Sequence, residues 1–154
     1  MFGGFGVTPM IQVTLQIVAL LIILDAYLYF LHRAMHRYEI LWAFHKEHHA
    51  NYKANFHVYE FALLWLVPML VAWLCGYMLS MFVIAFVFIF EVGLTHRSAY
   101  KKANPVHRAI FRSLKGFLGT AKFHRYHHDY PTTNYTQMFT FWDMVCKTKY
   151  KGSA

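Results

Sequence analysis

Two long apolar stretches constrain the fold of this chain more than any other feature. Residues 10–31 include one charged side chain, Asp25. As a helix this stretch would be about 33 Å long at about 1.5 Å per residue, which suits the hydrocarbon thickness of a bilayer. Residues 61–94 include one charged side chain, Glu91. This second stretch is too long for one span and Gly76 divides it, so we interpret it as a helical hairpin with short or tilted arms.

The low content of charged residues supports a membrane protein. Only 14% of the 154 residues are charged and 58% are hydrophobic, which is too little charge to cover a soluble core. We therefore expect an all-α integral membrane protein with about three membrane-embedded helical segments, formed by one span and one hairpin. The chain is long enough for one domain, residues 1–154. The tail after Pro131 carries turn residues and aromatics and is predicted to be irregular.

The distribution of basic residues predicts the orientation. All 15 Lys and Arg residues lie at or after Arg33, and none lies between Lys53 and Arg97. By the positive-inside rule, residues 33–60 and 95–154 are predicted to be cytoplasmic, whereas the N-terminus and the Gly76 turn face the other side. The membrane would be the endoplasmic reticulum in a eukaryote or the inner membrane in a bacterium. The net charge of +8 indicates contact with anionic headgroups rather than with nucleic acid.

Histidines form the strongest pattern in the chain. His32 and His36 have i, i+4 spacing, and two H-x-x-H-H motifs begin at His45 and His124. These spacings bring imidazoles together on helices at the predicted cytoplasmic edge of the membrane. One isolated histidine in such a chain is more often an interfacial or core residue than a ligand. Eight histidines in three helix-compatible clusters instead predict a helical metal-binding cap on the cytoplasmic side.

The ligand type restricts the chemistry of the site. Imidazole suits iron, zinc, copper and nickel, and eight clustered ligands exceed the needs of one four-coordinate ion. Two ions of higher coordination number fit this set better. Soluble di-iron bundles use mainly carboxylates, but this chain has only seven Asp and Glu residues. We therefore expect a nitrogen-rich pair of metal ions at the membrane surface.

Several strings resemble the membrane-bound fatty acid hydroxylase/sterol desaturase superfamily. The string DAYLYFLHRAMHRYEILWAFHKEHH is similar to its pattern of Asp, HR-x-x-H and W-x-x-H-x-x-HH. Downstream, FHVYE, THRSAY, KFHRYHH and NYTQMFTFWDMVCKT follow its later motifs in order. Val58, Thr136, Cys146 and Lys147 depart from the superfamily's usual residues at their positions. The resemblance covers about residues 25–148, which we take as the metal-binding core.

The resemblance implies a non-haem di-iron centre that activates O₂ and oxidises an unactivated C–H bond of a lipid or sterol-like substrate, by hydroxylation or desaturation. It implies two iron ions, with zinc as an ion that the same nitrogens accept in purified samples. Electrons would come from a separate reductase or small redox carrier, because the chain has no nucleotide-binding fingerprint. The sequence is also compatible with a homo-oligomer. The nine predicted metal ligands are His32, His36, His45, His48, His49, His96, His124, His127 and His128.

Four further residues are candidates for ligands or for hydrogen-bond partners of ligating imidazoles. Asp25 lies two helical turns before His32 and therefore on the same face, and ligating imidazoles usually donate their second N–H to such a group. His57, Glu60 and Asp143 occupy positions that match the superfamily's motifs.

Two other classes of function stay open at this level. A membrane zinc hydrolase would activate water with one or two zinc ions, but no cluster contains the H-E-x-x-H motif. A non-enzymatic metal or haem carrier would also explain a histidine-rich chain. Its haem ligands would be expected on facing helices within the membrane rather than at its edge.

Overall fold

The computed structural model describes residues 8–50, 58–94, 113–114 and 116–152. Within these ranges the chain is mostly helical and forms no β-strands, apart from one antiparallel bridge between Leu118 and Phe139. The helices are α1 (Pro9–Met35), α2 (Glu39–Ala50), α3 (Val58–Phe61), a π-helical turn (Ala62–Leu66), α4 (Val67–Leu74), α5 (Met78–Leu94), α6 (Ala121–Asp129) and α7 (Phe141–Val145).

Helix α1 is the one described helix that is long and apolar enough to cross a membrane. It begins at Pro9 because proline needs no hydrogen-bond acceptor for an N–H group in the first turn. It ends where His36 closes the last turn. Large apolar side chains on its outer face are exposed, for example Leu15 at 60% and Ile23 at 65%. An apolar surface of this size suits lipid rather than water.

The second apolar stretch folds into a helical hairpin. Its first arm runs through α3, the π-helical turn and α4, and its second arm is α5. Gly76 lies between the arms with a φ of +72°, a conformation that residues with a Cβ rarely adopt. The 17 residues of α5 give a length of about 25 Å, shorter than a typical hydrocarbon core.

The π-helical turn lies in the first hairpin arm and contacts α1 through a hydrogen bond. Widened turns of this kind are often found at functional sites, because they shift the hydrogen-bonding register of the helix. Here the Tyr27 hydroxyl of α1 donates a hydrogen bond to the Leu63 carbonyl inside the turn. The turn begins two residues after Glu60, so this contact helps to fix the position of Glu60 relative to α1.

A single apolar core lies between α1, the hairpin and the C-terminal segment. Leu28, Leu64, Trp65 and Val87 are almost completely buried, and Met138 of the C-terminal segment packs with them. Close packing of side chains of this size stabilises contacts between apolar helices. The core therefore holds the C-terminal end of α1 against the hairpin, next to the histidines.

The segment after Pro131 is largely irregular, as its turn-rich sequence predicts, and hydrogen bonds hold it in place. It contains the short helix α7, and Asp143 accepts hydrogen bonds from the backbone amides of Tyr135 and Thr136 at 3.0 and 2.8 Å. Asn134 adopts a φ of +56°, and its side-chain amide donates to the Phe123 carbonyl of α6 at 3.1 Å. Side-chain-to-backbone hydrogen bonds thus replace regular secondary structure here.

Candidate metal centre

Three helix ends bring the histidine clusters together. His32 lies in the last turn of α1 and His36 caps that helix, while α2 and α6 each carry an H-x-x-H-H motif. Their side chains form two adjacent sets, each with ligand atoms within 4.8 Å of one another. We call them the five-histidine group (His32, His36, His45, His49 and His127) and the three-histidine group (His48, His124 and His128).

Each H-x-x-H-H motif is divided between the two groups. In α2, His45 and His49 join the five-histidine group, whereas His48 joins the other. In α6 the division is reversed: His124 and His128 belong to the three-histidine group, and His127 belongs to the five-histidine group. Helix geometry explains the division: residues i+3 and i+4 lie on opposite sides of residue i and about 100° apart around the axis. One motif can therefore serve two neighbouring ions.

The nitrogen spacing in the five-histidine group fits a metal ion of high coordination number. Four pairs of Nε2 atoms lie 3.0–3.1 Å apart: His32–His45, His45–His49, His49–His127 and His127–His36. Nitrogens bound at about 2.1 Å from an ion lie about 3.0 Å apart at right angles and about 3.4 Å apart in a tetrahedron. The observed spacing is that of neighbouring ligands in octahedral geometry.

The three-histidine group forms a triangle. Its Nε2–Nε2 distances are 3.3 Å for His48–His124, 3.2 Å for His48–His128 and 3.0 Å for His124–His128. Three nitrogens at these distances fit on one face of an ion and leave its other positions to further ligands or reactants. A haem needs its porphyrin ring between the two axial nitrogens, and nitrogens this close leave no room for one.

The tautomers of three imidazoles show that a cation fits between the rings. The Nδ1 atoms of His32 and His127 lie 2.6 and 2.7 Å from the Tyr135 and Thr133 carbonyls, which only accept hydrogen bonds. His45 Nδ1 likewise lies 2.7 Å from Glu60 Oε1. Each Nδ1 therefore carries the proton, and each Nε2 presents a lone pair.

Lone pairs that face each other need a positive ion between them. His32 Nε2 and His45 Nε2 lie 3.1 Å apart, and both are acceptors once their Nδ1 atoms donate outwards. Neutral rings at this distance cannot form a hydrogen bond with each other, and both are 1% exposed. A metal ion satisfies both lone pairs at once, so the donor set fits a metal.

Burial keeps the metal-facing imidazoles neutral. It lowers the pKa of His49 to about 3, with a further contribution from the positive charge that neighbouring histidines would carry. Burial and neighbouring histidines also lower the pKa values of His36, His45 and His127. Neutral imidazole is the form that binds metals, so these rings are ready to bind at neutral pH.

The two groups are in direct contact, and one of them borders a cavity. The rings of His49 and His128 stack with centroids 4.4 Å apart, which joins the groups. A cavity of about 310 Å³ opens beside His36 and is also lined by Arg37, Glu39 and Trp42. Its charged and polar lining suits polar reactants, and it leads to the five-histidine group.

The structure places the other predicted site residues as follows. Glu60 lies beside His45, but Asp25 contacts no described histidine and instead accepts a hydrogen bond from the Phe139 amide at 3.2 Å. Asp143 binds the backbone of the loop that contains Tyr135, so its link to His32 runs through that loop. His57 and His96 lie outside the described residues.

The carbonyls of Thr133 and Tyr135 were not predicted from the sequence. They fix the orientation of His127 and His32, respectively. Every residue has a carbonyl, so residue type carries no indication of this role. The left-handed conformation of Asn134, between these two residues, is the only local feature that points to an unusual loop here.

Comparison with known proteins agrees with the geometry of the site. Residues 17–148, which include both histidine groups, match the model of the fatty acid hydroxylase family. Comparison with curated proteins and with solved structures gives no significant match. The family match covers most of the chain and includes all the predicted site residues. The chain therefore belongs to the fatty acid hydroxylase family.

Proposed function

We propose that the protein uses O₂ to hydroxylate or desaturate an unactivated C–H bond of a lipid or sterol-like substrate, with a histidine-held di-iron centre. The observation that carries this proposal is the pair of adjacent groups of converging imidazole nitrogens, five in one and three in the other. Family membership supports a lipid-oxidising enzyme. The whole chain, residues 1–154, is proposed to act as a single domain.

The proposed roles of the histidines follow the two groups. His32, His36, His45, His49 and His127 would hold one iron ion, and His48, His124 and His128 the other. His96 is proposed as a further ligand on the basis of its motif. When bound, the ions would supply the O₂ activation that an unactivated C–H bond requires, which side chains alone cannot provide. Glu60 and the Tyr135 and Thr133 carbonyls keep the rings oriented.

The substrate would reach the site from the bilayer. The exposed apolar faces of α1 and the hairpin support a membrane location, with Phe82 71% exposed on α5. We propose that α1 and both hairpin arms are embedded, that the N-terminus is non-cytoplasmic, and that the histidines and the C-terminus are cytoplasmic. The membrane would be the endoplasmic reticulum or a bacterial inner membrane.

Electrons would come from a separate reductase or small redox carrier on the cytoplasmic side. The cavity beside His36 supports access of polar reactants to the five-histidine group from outside the apolar core. A homo-oligomer is also proposed, because three embedded segments enclose a lipid poorly. Its formation would bury part of the exposed apolar surface of α1.

Metal analysis and product analysis of detergent-purified protein test the proposal. We expect about two iron ions per chain, no haem absorption band and oxygenated or desaturated lipid in an expressing host. His127→Ala should lose iron and product, whereas His107→Ala, which alters a histidine outside the predicted ligand set, should retain both. Folded protein without metal contradicts the proposal. Bound zinc with hydrolysed lipid would indicate the zinc hydrolase instead.

A further inference from the structure

An apolar cavity lies away from the histidines, between α1 and the C-terminal segment. Its volume is about 510 Å³, enough for a substantial part of a lipid molecule. Its wall on the α1 side contains Val18, Leu21 and Ile22. Its opposite wall contains Phe117, Phe139, Phe141 and Trp142.

The aromatic wall of this cavity is held in place by backbone contacts. Leu118 and Phe139 form the antiparallel bridge, and the Gly119 amide donates to the Met138 carbonyl at 2.7 Å. A Cβ at Gly119 would lie 2.8 Å from the Gln137 carbonyl oxygen, so the two segments approach this closely only because residue 119 is glycine. The Phe117 and Phe139 rings pack together with centroids 5.3 Å apart. These contacts hold Phe117 and Phe139 in the wall of the cavity.

Asp25 is the one charged residue among the described residues that line this cavity. It is 1% exposed, and its Oδ1 accepts the Phe139 amide hydrogen bond at 3.2 Å. Its Oδ2 is buried and makes no close hydrogen bond with the described residues, although the Met138 amide also lies near the carboxylate. A buried carboxylate oxygen without a donor is costly, so this atom indicates a ligand that brings a donor into an otherwise apolar space.

We propose that this cavity binds the apolar body of a neutral lipid that carries a hydroxyl group, and that the hydroxyl donates a hydrogen bond to Asp25. This inference rests on the proposed lipid-oxidising function and names a class of substrate for it. An ionised fatty acid fits less well, because its carboxylate would lie next to the carboxylate of Asp25. An alkane fits the walls but leaves the oxygen without a donor.

The position of Asp25 makes it a recognition residue rather than a catalytic one. Asp25 precedes His32 by seven residues of α1, which corresponds to about 10 Å along the helix. A hydroxyl held at Asp25 is therefore distant from the histidines. It would fix which part of the lipid reaches them.

Quenching of Trp142 fluorescence provides a direct binding test. The probes are a brominated long-chain primary alcohol and its methyl ether, added to the detergent-purified full chain with its metal content measured. Trp142→Phe identifies the part of the quenching that comes from this cavity. We expect the alcohol to bind about tenfold more tightly than the ether, or more, because only the alcohol donates a hydrogen bond to the carboxylate.

Variants separate recognition by Asp25 from general apolar binding. Asp25→Leu should bind alcohol and ether equally, and the isosteric Asp25→Asn should reduce the preference for the alcohol. Leu21→Trp, which fills the cavity and keeps Asp25, should weaken binding of both probes. Ser80→Ala is the matched control, because Ser80 lines a different apolar cavity between α1 and the hairpin and should leave the preference unchanged.

The results distinguish this inference from the proposed function. Equal binding of alcohol and ether by the unaltered protein, a preference that survives Asp25→Leu, or absence of Trp142 quenching would each overturn the inference. An alcohol preference without lipid oxidation would support this site and contradict the proposed function. Lipid oxidation without an alcohol preference would support the proposed function and contradict this site.

Discussion

The five-histidine and three-histidine groups share two helices but are held differently. Both take rings from α2 and α6, whereas only the five-histidine group includes rings from α1 and its C-cap, and α1 is the longest described helix. Three of its five rings donate through Nδ1 to fixed acceptors: the Tyr135 carbonyl, the Thr133 carbonyl and Glu60. It provides enough nitrogens to fill most positions of an octahedral ion.

We propose that each group holds one ion and that the two ions have different roles. An ion in the five-histidine group would be nearly enclosed by protein nitrogens and anchored to the core of the fold. An ion in the three-histidine group would have more positions left, within the described part of the chain, for further ligands or for reactants. Metal sites that act on substrates keep such positions available, whereas sites with a full set of protein ligands are mainly structural.

The largest expected effect comes from removing a central ligand of the five-histidine group. His45→Ala takes away an imidazole that lies within 3.1 Å of two other Nε2 atoms and leaves Glu60 buried without this partner. We expect iron to fall from about two ions to about one per chain, and activity to fall more than about 100-fold. Iron analysis and product analysis measure both effects. Lys46→Ala, at an exposed neighbouring position, should change neither.

A paired comparison tests which group holds its ion more weakly. His36→Ala leaves four described nitrogens in its group, whereas His124→Ala leaves two. His124→Ala should therefore release iron at a chelator concentration about tenfold lower than His36→Ala does. Chelator titration measures the release. If His36→Ala released iron at the lower chelator concentration, the proposed division of roles between the two groups would be contradicted.

Glu60→Gln should reduce the difference in metal affinity between the two groups, because Glu60 accepts a hydrogen bond from His45 of the five-histidine group. The amide weakens the hydrogen bond to His45 Nδ1, so iron affinity there should fall about 10-fold to 100-fold. Competitive metal titration measures the change. The control is Glu47→Gln, an exposed acid on α2, and an equal loss in the control would contradict a specific role for Glu60.

Acid should destabilise the metal-free protein through the five-histidine group. The folded pKa of His49 is about 3 because of burial and neighbouring histidines, whereas an unfolded histidine has a pKa of about 6.5. Below about pH 6.5 the unfolded chain therefore binds more protons than the folded chain. Thermal stability should be constant above this pH and fall progressively below it. His49→Gln should show a shallower decrease in thermal melts.

The smallest expected effect concerns the start of α6, the helix that carries His124 and His128 of the three-histidine group. The Thr120 side chain accepts a hydrogen bond from the Phe123 amide at 3.3 Å and caps this helix. Thr120→Ala should lower the free energy of unfolding by about 1 kcal/mol. Denaturant titration measures this, with Thr132→Ala at an exposed position as the control.

Local sequence patterns predicted the parts of the fold that depend on local chemistry. The apolar run before His32 predicted the membrane-length helix, and Gly76 lies at the turn between the hairpin arms. The spacing of the H-x-x-H-H motifs placed their rings on helices, and family resemblance is supported by the match over residues 17–148. Span number, orientation and the identity of the ions stay predictions.

Other parts of the site depend on contacts between residues far apart in the chain. The sequence pointed to Asp25 as a partner of a histidine, because the two share a face of α1. The structure instead brings Asp25 to the Phe139 amide, 114 residues away. The C-terminal segment is largely irregular, as predicted, but its sequence did not show that Asp143 organises it and thereby places the carbonyl that orients His32.

The sequence by itself therefore determined the main elements of this protein and its candidate metal ligands. These are a membrane-length helix, an apolar hairpin and eleven histidines, eight of them in helical clusters. Hydrophobic periodicity and ligand spacing are local properties, so they can be read directly from the chain. Only the tertiary structure decided how His48 and His127 cross between the two groups and which acceptors fix the rings. These features depend on how helices pack and how a loop closes, and no local pattern records either.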